Sequence, residues 1–197
     1  QEALTRTIIL GDDSVANLQD EFGSLGEMIR TTRKEPSVFV EVTSVDDKPY
    51  KEPDGEFPLG TAVFSRSEGS DGRQIYETMR DPEVGDLVLH VRKDSRGVTG
   101  VSTVASTLQE DFDGPPDDSW PADARGEGYF RPLGNYEPFD DPPDIDQDLL
   151  QNEDYRDRLQ EIYDSTENIF YDRNFELAQG AYFTEIPLDF LYLCIAE

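Results

Sequence analysis

The chain has little positive charge. Among 197 residues it holds 17 Lys and Arg against 44 Asp and Glu, and only Lys34, Lys48, Lys51 and Lys93 are lysine. The resulting net charge of -27 is dispersed along the sequence, with aspartate outnumbering glutamate. Such a surface repels itself, and molar salt would screen it, so the composition reads as adaptation to a halophile's cytoplasm. One cysteine, Cys194, excludes an internal disulfide and a cysteine-based zinc site; it lies in the apolar run LDFLYLCIA and reads as a buried thiol. One histidine, His90, excludes a two-histidine metal site, and inside an apolar run it reads as a packed residue. No run approaches the ~20 apolar residues of a membrane span. The N-terminus shows no signal-peptide pattern, so the expectation is a soluble cytoplasmic chain that touches no membrane.

Enzyme signatures are missing too. The sequence contains no Walker P-loop, no GxGxxG, no GxSxG and no HExxH. The carboxylate pairs Asp111/Asp113 and Asp117/Asp118, and the group Asp140/Asp141/Asp144, could ligate Mg²⁺, but in so acidic a chain they read as solvated loops. Nothing nominates a nucleophile, a general base, a metal or a cofactor. The residues therefore favour a binding module over an enzyme.

What is present is a regular alternation of apolar runs, with 21 aromatic residues reaching to the last turn, which argues against disorder. Leu87, Val88, Leu89 and Val91 form a run broken only by His90, the pattern of a central strand buried on both faces. Arg92 to Gly97 reads as a hairpin loop, and Val98 to Val104 as the returning strand. Gly97 and Gly100 suggest a bulge or a close backbone approach. Further strands are expected at Val38–Val42, Ala62–Ser65 and Gly128–Leu133, with a Pro/Gly/acidic loop over Lys48–Leu59. Helices are expected over Asp13–Thr31, Arg73–Met79, Asp144–Leu150, Tyr155–Tyr163 and Leu188–Ile195, the fourth capped by Asn152 or Asp154 and the last opened by Pro187. Leu108 to Arg125 reads as one long acidic loop around the only tryptophan, Trp120. Irregular interleaving of strands and helices indicates an α+β domain on a strongly curved sheet. We divide the chain into an N-terminal helical appendage, 1–35, and a main domain, 36–197.

The order VFSRSEGSDGRQIYETM, VGDLVLHV, VTGVSTVAS, a tryptophan-bearing loop and GYFRPL resembles the EVE/YTH branch of the PUA-like superfamily. The tail ENIFYDRNFELAQGAYFTEIPLDFLYLCI resembles the end of EVE-like domains at the N-terminus of McrB-type, modification-dependent restriction proteins. The likeness covers roughly Val38 to Ile195, and GDLVLH and QGAYFTEIP are its most specific parts. It departs from the family in the long acidic insert Leu108–Asp118 and in Phe64, where YTH domains carry tryptophan.

The resemblance implies a PUA-like curved sheet or pseudo-barrel that accepts one flipped, methylated or hydroxymethylated base into an aromatic pocket. Stacking on aromatic rings replaces what the base loses on leaving the duplex, at about 1 to 3 kcal/mol per base. Carried over by position, Phe64 and Trp120 are the two cage walls and Ser65 is the polar residue beside the first. Tyr76 would lie in a helix backing the pocket, Ser102 on the strand beneath it, and Tyr129 would open the strand after the tryptophan loop. Arg66, Arg73, Arg92, Lys93 and Arg96 lie on flanking loops and are the expected contacts to the phosphate backbone. The implied partners are modified duplex DNA and the AAA+ motor and nuclease subunits of a type IV restriction complex. Two other readings stay open: an RNA-binding PUA-like regulator, and an acidic protein-interaction module or DNA mimic.

Overall fold

In a computed structural model the described residues are 35–68, 76–116, 120 and 126–195. The helix expected at Asp13–Thr31, and with it nearly all of the 1–35 appendage, lies outside them. Among the described residues seven strands form one mixed sheet: β1 (Val38–Thr43), β2 (Ala62–Arg66), β3 (Leu87–Arg92), β4 (Val98–Val104), β5 (Gln109–Phe112), β6 (Gly128–Pro138) and β7 (Phe183–Ile186). Their order is β2-β6-β4-β3-β1-β7, with β5 alongside the first part of β6. Only β1 and β3 run parallel. The sheet curls into a half-barrel with a few flanking helices, the α+β architecture on a curved mixed sheet that the residue pattern implied.

As the apolar run predicts, β3 is an interior strand, buried from Leu87 through Val91 between β1 and β4. Successive side chains of a strand face opposite ways. Val38, Val40 and Val42 of β1 and Leu87, Leu89 and Val91 of β3 thus share one face, under α1 (Arg156–Ser165) and α2 (Leu188–Ile195). Leu159 and Ile162 of α1 and Phe190, Leu191 and Cys194 of α2 complete that layer, each fully buried aliphatic or aromatic side chain worth about 1.5–3 kcal/mol. Arg158 bridges the two helices by pairing with Asp189. On the other face, Phe39, Val88, Val104 and Tyr129 form a second cluster, and Tyr50, Ala62 and Phe64 a third.

Local signals placed most element ends. Asp144 caps the turn Ile145–Leu150, accepting from Asp146 N and Gln147 N. Asn152, not Asp154, caps the next turn, Glu153–Tyr155, which leads into α1. Pro187 precedes α2, its carbonyl accepting from Phe190 N. Gly100 is the site of close approach that its place in β4 suggested, since a Cβ there would lie 2.4 Å from the Glu137 carbonyl oxygen on β6.

Three expectations need correction. The segment read as loop from Leu108 contains β5, which pairs with the start of β6 although its own residues are mostly exposed. The strand expected to end at Leu133 runs on to Pro138, because Gly134 to Pro138 turn to pair with β4 across a register shift. The helix expected over Arg73–Met79 is, in its described part, a single tight turn over Glu77–Arg80 with Tyr76 at its head.

Candidate functional site

The curled sheet leaves β2 at one end of its order, so among the described residues one edge of that strand has no neighbouring strand. An edge with open N–H and C=O groups needs partners. Side chains supply them. Tyr182, just before β7, donates its hydroxyl to the Phe64 carbonyl at 2.7 Å and accepts from the Phe64 N–H at 3.1 Å. The Tyr182 carbonyl meanwhile accepts from Val42 N of β1 at 2.7 Å, so this one residue ties β2 to β1. Lys51 makes a second clip, donating to the Ala62 carbonyl at 2.7 Å.

Both clips rest on a buried acid. Glu41 of β1 is 0 % exposed; its carboxylate accepts from Lys51 Nζ at 2.9 Å and from His90 Nδ1 at 2.8 Å, and lies 3.4 Å from the Tyr182 hydroxyl. His90 is opposite Glu41 in the parallel pair, and its Nε2 meets Ser102 Oγ at 2.8 Å; Ser102 in turn donates to the Gly60 carbonyl at 2.8 Å. Burial alone would raise the Glu41 pKa. The charge of Lys51 and the hydrogen bond from His90 outweigh it and hold the carboxyl at about 2. Burial and the Glu41 charge push the Tyr182 phenol well above its usual range, which keeps the proton that β2 needs.

Above this network opens a cleft of ≈ 390 Å³, within the range of small-ligand sites. Phe64, Lys51, Tyr50, Tyr76, Tyr182 and Trp120 are among the residues that line it. Phe64 is only 6 % exposed, because Tyr50, Phe57, Phe112 and Phe130 surround its ring at 5.3–6.3 Å and Lys51 Nζ sits 4.8 Å from its centroid. Trp120 is half-buried. A Cβ at Gly114 or Gly128 would come within 2.8 or 2.5 Å of its indole, so those glycines provide its seat, with Phe112 edge-on at 5.9 Å. Tyr76 is set by the turn that follows it. Arg131 of β6, buried, anchors that turn by donating to the Met79 carbonyl.

Polar groups complete the cleft. Ser65 Oγ is buried without a hydrogen-bond partner among the described residues, and Ser65 belongs to the lining. Lys48 and Arg66 add positive charge at the cleft and Asp47 a negative one.

Of the residues expected in a base pocket, Phe64, Ser65, Tyr76 and Trp120 come together at this cleft. Ser102 and Tyr129 do not line it: Ser102 is spent on His90 and Gly60, and Tyr129 packs in the second apolar cluster beneath Arg80. Among the expected phosphate contacts that are described, Arg66 alone lines the cleft. Arg92 is bound to Asp46 and Asp94, and Arg96 to Asp146; Lys93 is exposed on the same hairpin, and Arg73 lies outside the described residues. Sequence reasoning missed Glu41, Lys51 and Tyr182. One signal was there to read: a lone acid in VFVEVT and a lone histidine in LVLHVR occupy interior positions of two apolar strands.

Among the described residues no helix is long and apolar enough to cross a membrane. No protein-family profile and no curated protein matches the chain. Among solved structures, a crystal structure of a Pseudomonas putida protein superposes with a TM-score of 0.50 at 11% identity, covering 81% of this chain and 97% of that one. The N-terminal domain of Staphylothermus marinus McrB gives 0.46 at 12% identity, over 81% of this chain and 93% of its own. Human THYN1, in complex with DNA containing 5-methylcytosine, gives 0.43 at 11%, over 79% and 95%. At such identities the likeness is one of fold.

Proposed function

We propose that the chain is a modified-base reader, a binding domain that takes one flipped, methylated or hydroxymethylated base of DNA into the cleft above Glu41 and Lys51. The observation that carries this reading is the meeting of the aromatic residues Trp120, Tyr76 and Tyr182 in the lining of one cleft of ≈ 390 Å³, with the buried, unpartnered Ser65 hydroxyl beside it. An extruded base needs stacking faces and at least one group that reads its edge; this cleft offers both. A methyl group adds apolar burial of about 0.8 kcal/mol, a bias that the hydroxyl sharpens. Arg66, and Lys48 beside its hydrogen bond to Thr43 Oγ1, would in this reading meet the phosphates on either side of the flipped nucleotide. In this reading the domain delivers a McrB-type complex, with its AAA+ motor and nuclease subunits, to modified DNA in a salt-rich cytoplasm.

The test is fluorescence anisotropy in molar KCl with four matched duplexes carrying 5-methylcytosine, 5-hydroxymethylcytosine, N6-methyladenine or no modification. We expect tighter binding to one modified duplex. Trp120→Ala should cost about 1–3 kcal/mol of that binding and remove the preference while leaving the circular-dichroism spectrum unchanged. Equal affinity for all four duplexes, or a variant that keeps the wild-type preference, overturns the reading.

A further inference from the structure

Tyr76 and Tyr182 stand edge to face with ring centroids 6.2 Å apart, and they wall two clefts at once. One is the cleft already described. The other, ≈ 660 Å³, opens beyond the tyrosine pair between the Tyr76–Asp81 segment and the chain leading into β7. Its lining differs in kind. Glu77 and Asp81 supply carboxylates, Asn168 and Gln179 supply side-chain amides, and no described Lys or Arg takes part. Thr184 Oγ1, on the same lining, is buried without a hydrogen-bond partner among the described residues. Asn168 holds a left-handed backbone at φ 56°, and it is followed in the chain by buried Ile169 and Phe170, so its amide is carried by a segment anchored in the core.

This chemistry sorts ligands. A phosphate would meet two carboxylates and no cation, so the cleft refuses the nucleic-acid backbone. A planar neutral molecule with N–H donors on its edge satisfies the carboxylates and the amide oxygens together. Its position adds the second constraint, since it lies one aromatic pair away from the cleft assigned to the flipped base. We propose that this second cleft receives the base adjoining the flipped one, and that it selects a neighbour with an amino group on its major-groove edge, adenine or cytosine, over thymine. Carboxylates accept from cytosine N4, and side-chain amides pair with adenine N6 and N7, whereas thymine would turn O4 and a methyl group toward the acceptors. The domain would thus read a short sequence context along with the modification, as enzymes that flip bases do through flanking nucleotides. This proposal rests on the modified-base reading of the first cleft.

The experiment measures anisotropy with duplexes that carry the preferred modification and have adenine, cytosine or thymine on either side of it. The wild-type protein should bind the thymine-flanked duplexes roughly tenfold more weakly than the others on one of the two sides. The double variant Glu77→Ala/Gln179→Ala, both exposed residues, should bind all flanks alike while keeping its preference for modified over plain DNA. Flank-independent binding by a wild-type protein that still prefers modified DNA overturns this inference alone, as does flank discrimination that survives in the double variant. A wild-type protein with no preference for any modified duplex overturns the first reading, and this one with it.

Discussion

The two faces of β1 and β3 are built from different chemistry. Toward the helices, Val38, Val40, Val42, Leu87, Leu89 and Val91 are aliphatic without exception. Toward the cleft, the alternate positions hold Phe39 and Val88, and then Glu41 and His90 directly opposite each other. The first face gains stability from burial alone. The second gives some of it up, because taking Glu41 and Lys51 out of water costs several kcal/mol per ion, and their mutual attraction repays that only with good geometry. What the polar face provides is a set of directed bonds that hold β2, and with it the floor of a cleft, in one place. Stability and function are thus divided between the faces of the same strands.

The division is broken most severely from the polar side. Lys51→Met leaves the Glu41 carboxylate buried without its cation, which should cost about 3–5 kcal/mol in urea denaturation. The double variant Glu41→Gln/Lys51→Met should recover much of that loss, because no buried charge then stands alone. Leu89→Ala on the helix face should also cost about 2–5 kcal/mol, by leaving a cavity, but it has no route to the cleft. Folded Leu89→Ala protein should therefore keep the wild-type base preference, and folded double-variant protein should bind with a lower or altered one. If both variants leave the preference untouched, the two faces do not differ in the way described.

Acid provides a gentler probe. Glu41 is held from a reference of 4.5 down to about 2 in the folded chain, so between those values the unfolded state binds the proton and the native state does not. Its contribution is complete above pH 4.5 and is lost as pH falls toward 2. Stability should fall with pH in that window by at most about 1.4 kcal/mol per unit on account of this group. Other carboxylates titrate there as well, so the informative quantity is the difference between wild type and Glu41→Gln across denaturation midpoints from pH 7 to pH 2. A difference that stays constant with pH would mean that the Glu41 carboxyl titrates alike in the folded and unfolded chains, so that Lys51 and His90 do not hold it down.

The same contrast explains which parts of the molecule could be read from the amino acids. The helix-side face is legible because local pattern and tertiary outcome agree: LVLHV, VFVEV and LDFLYLCI are apolar enough to be core in any fold. The β5 strand is not legible, because Gln109, Glu110 and Asp111 have no apolar face to reveal a period, and only pairing with β6 makes them extended. Nor is the second half of β6, where Gly134, Asn135, which adopts a left-handed backbone, and Pro138 all signal turns. At the cleft, Phe64, Ser65, Tyr76 and Trp120 were found by resemblance to a family, not by any local rule. Lys51 and Tyr182 become neighbours of β2 only once the sheet has curled; Tyr182 reaches Phe64 across 118 positions of chain.

Tyr182 offers the smallest and most local test. Along β2 the backbone groups of alternate residues face opposite ways, and Phe64 turns its N–H and C=O to the Tyr182 hydroxyl while Val63 and Ser65 turn theirs to β6. Tyr182→Phe keeps the ring, its edge-to-face contact with Tyr76 and the Val42 hydrogen bond to its carbonyl, and it deletes the clip together with the hydroxyl's 3.4 Å contact to Glu41. A lost hydrogen bond of this kind costs about 1 kcal/mol, too little to unfold the chain. Amide exchange measured by NMR should therefore accelerate at Phe64, by roughly fivefold for that energy, and stay unchanged at Val63. Binding of modified DNA should weaken modestly, since the edge of β2 away from β6, on the strand that carries Phe64, Ser65 and Arg66 to the cleft, then keeps, of the two clips, only that of Lys51 at Ala62. Unchanged exchange at Phe64 would show that the free edge of β2 is held by its pairing with β6 and does not need the network that Glu41 anchors.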